Sequence, residues 1–148
     1  PLISVEIIGA GPERNKLILK VKELGLIHNV SLLGGKKDGY KYIKHWRAFV
    51  LPSVSEPFGI AALEAMASGV PVVASKVGGL QDIITDKKNG LLVEPRNSDA
   101  LAKVILQILE NMALGAKLKQ GGLLRVKDFD WKKIVKELEK AYLNLFTE

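Results

Sequence analysis

The sequence predicts an α/β fold, a doubly wound parallel sheet of Rossmann-like type, and three features predict it. Five short apolar runs recur between positions 3 and 93, and a stretch with helical spacing separates each from the next. Parallel neighbours need crossover connections of that kind, and the crossover helices cover both faces of the sheet. The turns that follow Ile8, Leu33, Leu51 and Ala74 carry glycines or polar residues, and such sheets bind ligands beyond the carboxyl ends of their strands.

The first run, residues 3–8 (ISVEII), is short and β-branched and leads into Gly9-Ala10-Gly11-Pro12. This is a strand ending in a tight turn, because glycine allows positive φ and proline suits the first position of a following helix. That helix spans about residues 13–24, with Leu17, Val21 and Leu24 on one face, and stops at Gly25. Arg14 stands where the third glycine of a dinucleotide fingerprint would be, so the glycines read equally as a plain strand-to-helix turn. Residues 30–33 form a second strand, closed by Gly34-Gly35 and the basic Lys36-Lys37-Asp38. A short helix over residues 40–46 leads to a third strand at 48–51.

Residues 51–75, LPSVSEPFGIAALEAMASGVPVVAS, hold a strand end, a polar turn, a helix from about Gly59 and a further strand from Pro71. Val77-Gly78-Gly79 breaks that strand and starts a short helix through Asp82 to Ile84. Asn89-Gly90 marks a turn before the last strand, residues 90–93. The rest is helical. Asn97 or Ser98 can cap a helix with Leu101, Val104, Ile105 and Ile108 at core spacing. A second segment covers about residues 114–126, interrupted by Gly121-Gly122. The last starts at Asp130 and sets Trp131, Ile134, Val135, Leu138, Tyr142 and Leu145 on one side, a stripe expected to pack on the sheet.

With 148 residues and 47% hydrophobic side chains, the chain is long and apolar enough for one domain with a proper core. No uncharged run approaches the ~20 residues of a membrane helix, and the first residues lack a basic region and an apolar signal core. A soluble, cytoplasmic protein with no integral membrane segment is expected. There is no cysteine, which excludes disulfides and thiol chemistry, and His28 and His45 are the only imidazoles, so no metal site is expected. The net charge of +6 comes from 22 basic and 16 acidic side chains scattered over helix faces. This reads as a solvated surface that also suits an anionic ligand such as a nucleotide diphosphate. No aromatic residues interleave a basic stripe, so nucleic acid is not an expected partner.

Glu56 and Glu64 are the only ionisable residues between positions 51 and 75, set among apolar neighbours. An unpaired buried charge is costly. A helix N-terminus near Gly59 offers free backbone N–H groups and partial positive charge, where a phosphate or sugar hydroxyl can dock. Glu64, on the second turn, can accept two hydrogen bonds from vicinal hydroxyls such as those of ribose. Spacing alone leaves a second reading open, in which Glu56 caps the helix and Glu64 reaches solvent.

The stretch SEPFGIAALEAMASGVPVVAS resembles the signature of the retaining GT-B glycosyltransferases of group 1, or family 4, which includes glycogen and sucrose synthases and lipid mannosyltransferases. That signature is Glu, seven residues, Glu, matched by Glu56 and Glu64. IIGAGPER, NVSLLGG, FVLPS, GGLQDIITDKKNGLLVEP and the final Phe129-Asp130-Trp131 are similar to further segments of the group in the same order. The resemblance implies the C-terminal half of a GT-B fold, a nucleotide-sugar (donor) binding domain over residues 1–148. Glu56 would be catalytic and contact hydroxyls of the donor sugar. The backbone at Phe58, Gly59 and Ile60 would bind sugar and diphosphate, Glu64 the ribose hydroxyls, and Gly35 and Lys36 would border the base. The reaction implied is transfer of a sugar from a nucleotide diphosphate sugar with retention, needing no cofactor or metal beyond that substrate, and stabilising the departing diphosphate is an electrostatic task.

The family's donor domain opens with one more strand, followed by an Arg and a Lys that grip the diphosphate. Neither these nor the preceding acceptor domain is matched here, and Arg14 and Lys16 do not take the role. Arg47 also departs from the family, where an acidic residue commonly precedes FVLPS. The chain is therefore expected to be an N-terminally truncated fragment, inactive in isolation, with a non-catalytic nucleotide or sugar binding module as the alternative. Val5 and Val50 are expected on neighbouring parallel strands or separated by one foreign strand.

Overall fold

Strands and helices alternate through the first part of the chain, and the computed structural model describes residues 3–146. The chain packs as two compact units, Pro1–Lys41 and Tyr42–Glu148.

In the first unit β1 (Val5–Ile8) pairs in parallel with β2 (Val30–Gly34), with Val5 opposite Val30 and Ile8 opposite Gly34. The register shifts between Ile7 and Ile8, and Gly34, at φ +74°, takes the backbone conformation that accommodates the extra residue. The crossover is α1 (Arg14–Glu23). Its end is a Schellman turn: Gly25 N–H donates to Lys22 O and Leu26 N–H to Val21 O, with Gly25 left-handed at φ +68°. No described residue of this unit is buried, and Leu17 and Leu24 of the expected helix face remain exposed.

The second unit holds the core. Its sheet has the order β3 (Phe49–Leu51), β4 (Val72–Ser75), β5 (Leu91–Val93), all parallel, with β4 central and every one of its residues buried. One face, through Phe49, Val72 and Ala74, packs on α3 (Ile60–Ala67) and α4 (Leu80–Ile83) by way of Ala62, Ala65, Met66, Leu80 and Ile83. Ile43, from the short α2 (Tyr40–Ile43), joins this cluster. The other face, through Val73 and Leu91, packs on Ile108 of α5 (Ser98–Glu110) and Leu118 of α6 (Met112–Arg125). Residues of β4 therefore alternate between two helical layers, as a doubly wound sheet requires.

Asn97 caps α5 by accepting Ala100 N–H, Asn111 caps α6 by accepting Leu114 N–H, and Asp130 caps α7 (Trp131–Leu145) by accepting Lys132 N–H. Arg47 Nη2 donates to Leu109 O at 2.9 Å, so its departure from the family pattern ties the approach to β3 to the last turn of α5.

The five strands form two parallel ladders, β1-β2 and β3-β4-β5, and among the described residues none joins β1 to β3: Val5 pairs with Val30 and Val50 with Val73, so of the two expected arrangements direct pairing of Val5 and Val50 is not the one found. Two expectations are corrected. Helix α6 runs through Gly121-Gly122 without interruption. The glycines serve close packing, since a Cβ on Gly121 would lie 2.2 Å from Lys88 O and one on Gly122 would lie 3.1 Å from Met66 Cγ. Finally, α7 does not pack on the sheet. None of its described residues is buried, and Trp131 is 78% exposed, because both faces of β3–β5 are already covered. Among the described residues no helix is long and apolar enough to cross a membrane.

Candidate functional site

Because β3, β4 and β5 are parallel, the loops that follow them meet at one edge of the sheet. The loop after β3 carries Glu56, Pro57 and Phe58 into α3, the loop after β4 is Lys76-Val77-Gly78-Gly79, and Glu94 follows β5. Lys76 N–H donates to Val93 O at 2.8 Å, and Lys76 Nζ lies 3.6 Å from Glu94 Oε1.

The first two loops are stacked backbone on backbone. Gly79 N–H donates to Glu56 O at 3.0 Å. A Cβ on Gly78 would lie 2.2 Å from Glu56 O, and one on Gly79 2.4 Å from Pro57 O. Gly78 also has φ +44°, where side chains are strained. These glycines set the path of the Glu56 loop. The sequence shows them only as a strand breaker, because nothing in a Gly-Gly pair names the backbone it will press against.

Gly59 is the N-cap of α3 at φ +104°, and no side chain caps the helix. The first N–H groups of α3 are thus not taken by a local carboxylate. Glu56 is half-buried and does not cap α3. Its Oε1 accepts a long hydrogen bond, 3.4 Å, from Phe58 N–H inside the loop. Gly59 is glycine for two reasons internal to the fold, its φ and the 2.7 Å that would separate a Cβ from Leu80 Cδ2.

Along α3 the small Ala62 and Ala65 and the larger Met66 are buried, while Ile60 and Glu64, one turn apart, share the outer side. The Glu64 carboxylate makes no hydrogen bond or ion pair with another described residue. Phe58, 47% exposed, meets Phe129 edge-on, with ring centroids 6.0 Å apart and planes at 77°. Glu56, Phe58, Gly59, Ile60 and Glu64 therefore lie together on one loop and helix. Gly35 and Lys36 belong to the first unit, in the exposed loop after β2.

Comparison with known proteins shows the family and the fold. The family described as "Glycosyl transferases group 1" matches residues 1–125. An uncharacterized glycosyltransferase of Methanocaldococcus jannaschii is 38% identical over 139 residues, covering 92% of this chain and 36% of the relative. The structure of Anabaena HepE in complex with UDP superposes with a TM-score of 0.90 at 26% identity, over 97% of this chain and 42% of that one. The C-terminal domain of a group 1 family glycosyl transferase from Francisella tularensis superposes with a TM-score of 0.74 at 33% identity, over 84% of this chain and 68% of that one. The chain thus spans well under half the length of the curated relative it matches. It belongs to the group 1 glycosyl transferases and has the C-terminal half of their GT-B fold.

Proposed function

We propose that this chain is the donor-binding part of a retaining glycosyltransferase that moves a hexose from a nucleotide diphosphate sugar to an acceptor. One observation carries the reading: two carboxylates free of cationic partners, Glu56 in the loop and Glu64 on the outer side of α3, bracket a helix N-terminus that no side chain caps. The HepE structures with UDP and with UDP-glucose support a nucleotide sugar as the donor.

Diphosphate oxygens accept from the N–H groups at Phe58, Gly59 and Ile60, where the helix adds partial positive charge. One turn on, about 6 Å along the axis, Glu64 accepts from both ribose hydroxyls. Glu56 accepts from hydroxyls of the donor sugar and orients its anomeric carbon, whose bond to the diphosphate breaks as the bond to the acceptor oxygen forms and the acceptor's hydroxyl proton passes to the departing diphosphate. The cations that hold the diphosphate in the family, and the acceptor domain, are the counterparts this half of the fold works with.

Calorimetric titration of the full-length gene product with UDP, ADP, GDP and their sugars tests the proposal. One of the three is expected to bind, about tenfold or more weaker in Glu64→Ala, since hydrogen bonds to charged groups contribute about 1.5–3 kcal/mol. Glu56→Ala is expected to lose transfer while nucleotide binding persists. Failure of all three nucleotides to bind would sink the proposal, and binding without transfer or donor hydrolysis would make the protein a non-catalytic module.

A further inference from the structure

The loop that carries Glu56 and Phe58 is linked at each end to Arg125 indirectly, by way of Gly79 and α4 on one side and of Phe129 on the other. Behind Glu56, its carbonyl accepts Gly79 N–H, and Gly79 is the N-cap of α4. At the other end of α4, Arg125 Nη2 donates to Asp82 O at 2.6 Å and Arg125 Nε to Ile83 O at 3.1 Å. These carbonyls lie in the last turn of a four-residue helix, where no further backbone N–H reaches them, and the planar fork of an arginine meets two at once.

The same guanidinium lies 4.8 Å from the centroid of the Phe129 ring, and Phe129, on the 3₁₀ turn Val126–Phe129, is half-buried against the core. Its ring meets Phe58 edge-on. Arg125 Nη1 donates to Asp128 Oδ2 at 2.9 Å, which fixes the plane of the fork. The fastenings close into a ring: Glu56, Gly79, α4, Arg125, Phe129, Phe58. Pro57 and the long 3.4 Å hydrogen bond from Phe58 N–H to Glu56 Oε1 span the open side, where Gly79 also packs against Pro57 O and the Phe58 backbone. The two residues whose placement the donor loop depends on are thus set from the C-terminal helical segment.

We propose that Phe129 and Arg125 are positioning residues of the donor loop. Phe129 holds the Phe58 ring, Arg125 holds both Phe129 and the end of α4, and together they keep the backbone at Phe58 and the Glu56 carboxylate in the geometry that receives the diphosphate sugar. The proposal rests on the donor-binding reading for its effect on affinity, but not for its effect on the loop itself. An edge-to-face pair and a cation over a ring are each weak alone. Their effect on binding comes from keeping the loop in one conformation before the ligand arrives.

The test combines NMR of the chain without ligand and calorimetry of the full-length gene product with UDP, ADP and GDP. In Phe129→Leu, the Phe58 ring protons lose the shift imposed by the neighbouring ring, and the Phe58 and Gly79 amides exchange with solvent at least tenfold faster. Affinity for the nucleotide that binds falls about tenfold, while Phe129→Tyr, which keeps the ring, restores both readouts. Arg125→Lys, which keeps the charge but loses the fork, is expected to show the same loosening and serves where Phe129→Leu does not fold. Unchanged Phe58 shifts and unchanged exchange in both variants overturn the proposal. So does a fall in melting temperature with Phe58 shifts and affinity intact, which marks a merely structural role. If none of the nucleotides binds the unmodified protein, the donor reading fails, and the Phe58 and Gly79 signals still decide whether the two residues position the loop.

Discussion

At the scale of single residues, the glycines of the loop after β4 are more constrained than their surroundings. Gly78→Ala would place a Cβ 2.2 Å from Glu56 O at φ +44°. Backbone cannot yield as the far end of a side chain can, so the loop must move. A loss on the order of 1–3 kcal/mol in chemical denaturation is expected, together with weakened nucleotide binding. Glu64→Ala should separate the two effects, leaving the denaturation midpoint nearly unchanged because Glu64 is exposed, while affinity falls. A stability loss in Glu64→Ala comparable to that of Gly78→Ala would contradict this division. Glu56 and Glu64 could be singled out in the sequence because carboxylates are conspicuous among apolar residues. Gly78, Gly79, Arg125 and Phe129 could not, since their importance lies in a backbone oxygen, two carbonyls and a ring that only the folded chain brings to them.

Among the elements, the alternation of apolar runs and helical spacing made every strand visible in the sequence, and Asn97 and Asp130 identified two helix starts by their side-chain chemistry. Asn97→Ala is accordingly expected to destabilise the second unit by about 1 kcal/mol, measured by chemical denaturation. What the pattern could not convey is which neighbour an element meets. Gly121-Gly122 looks like a break, yet it is where α6 approaches the 85–89 turn and α3. The corner between the 3₁₀ turn and α7 depends on Asp128, whose carboxyl is held below the usual aspartate range by its hydrogen bond from Arg125 and then by that from Lys133, 3.4 Å away. A carboxylate with a lowered folded pKa adds stability above its unfolded pKa, and the contribution is lost as pH falls through the folded value. Melting followed from neutral to acid pH should therefore show a loss in the acid range that is slightly smaller in Asp128→Asn. The effect is small because the pair is solvent-exposed and screened.

For the whole molecule, burial is distributed very unevenly between the two compact units. The second has a central strand with every residue buried and helical layers on both faces, whereas no described residue of the first is buried. A two-stranded ladder with one exposed helix is marginal on its own, because three or more strands with a covered apolar face are needed for independent stability. Val5, 44% exposed on a strand paired along one edge only, shows the deficit directly. The sequence hinted at this asymmetry in Glu6 of ISVEII and in the unmatched family strand, but the apolar pattern of ISVEII and VPVVAS does not say how many elements cover each. Hydrogen exchange of the chain should therefore fall into two classes. Amides of Val73 and Ala74, in parallel ladders on both sides, should open only with global unfolding, while amides of Ile7 and Leu32 should exchange by a separate opening of lower free energy and lower denaturant dependence. If the four amides instead converge on one opening free energy as denaturant rises from zero, the two units behave as one cooperative body.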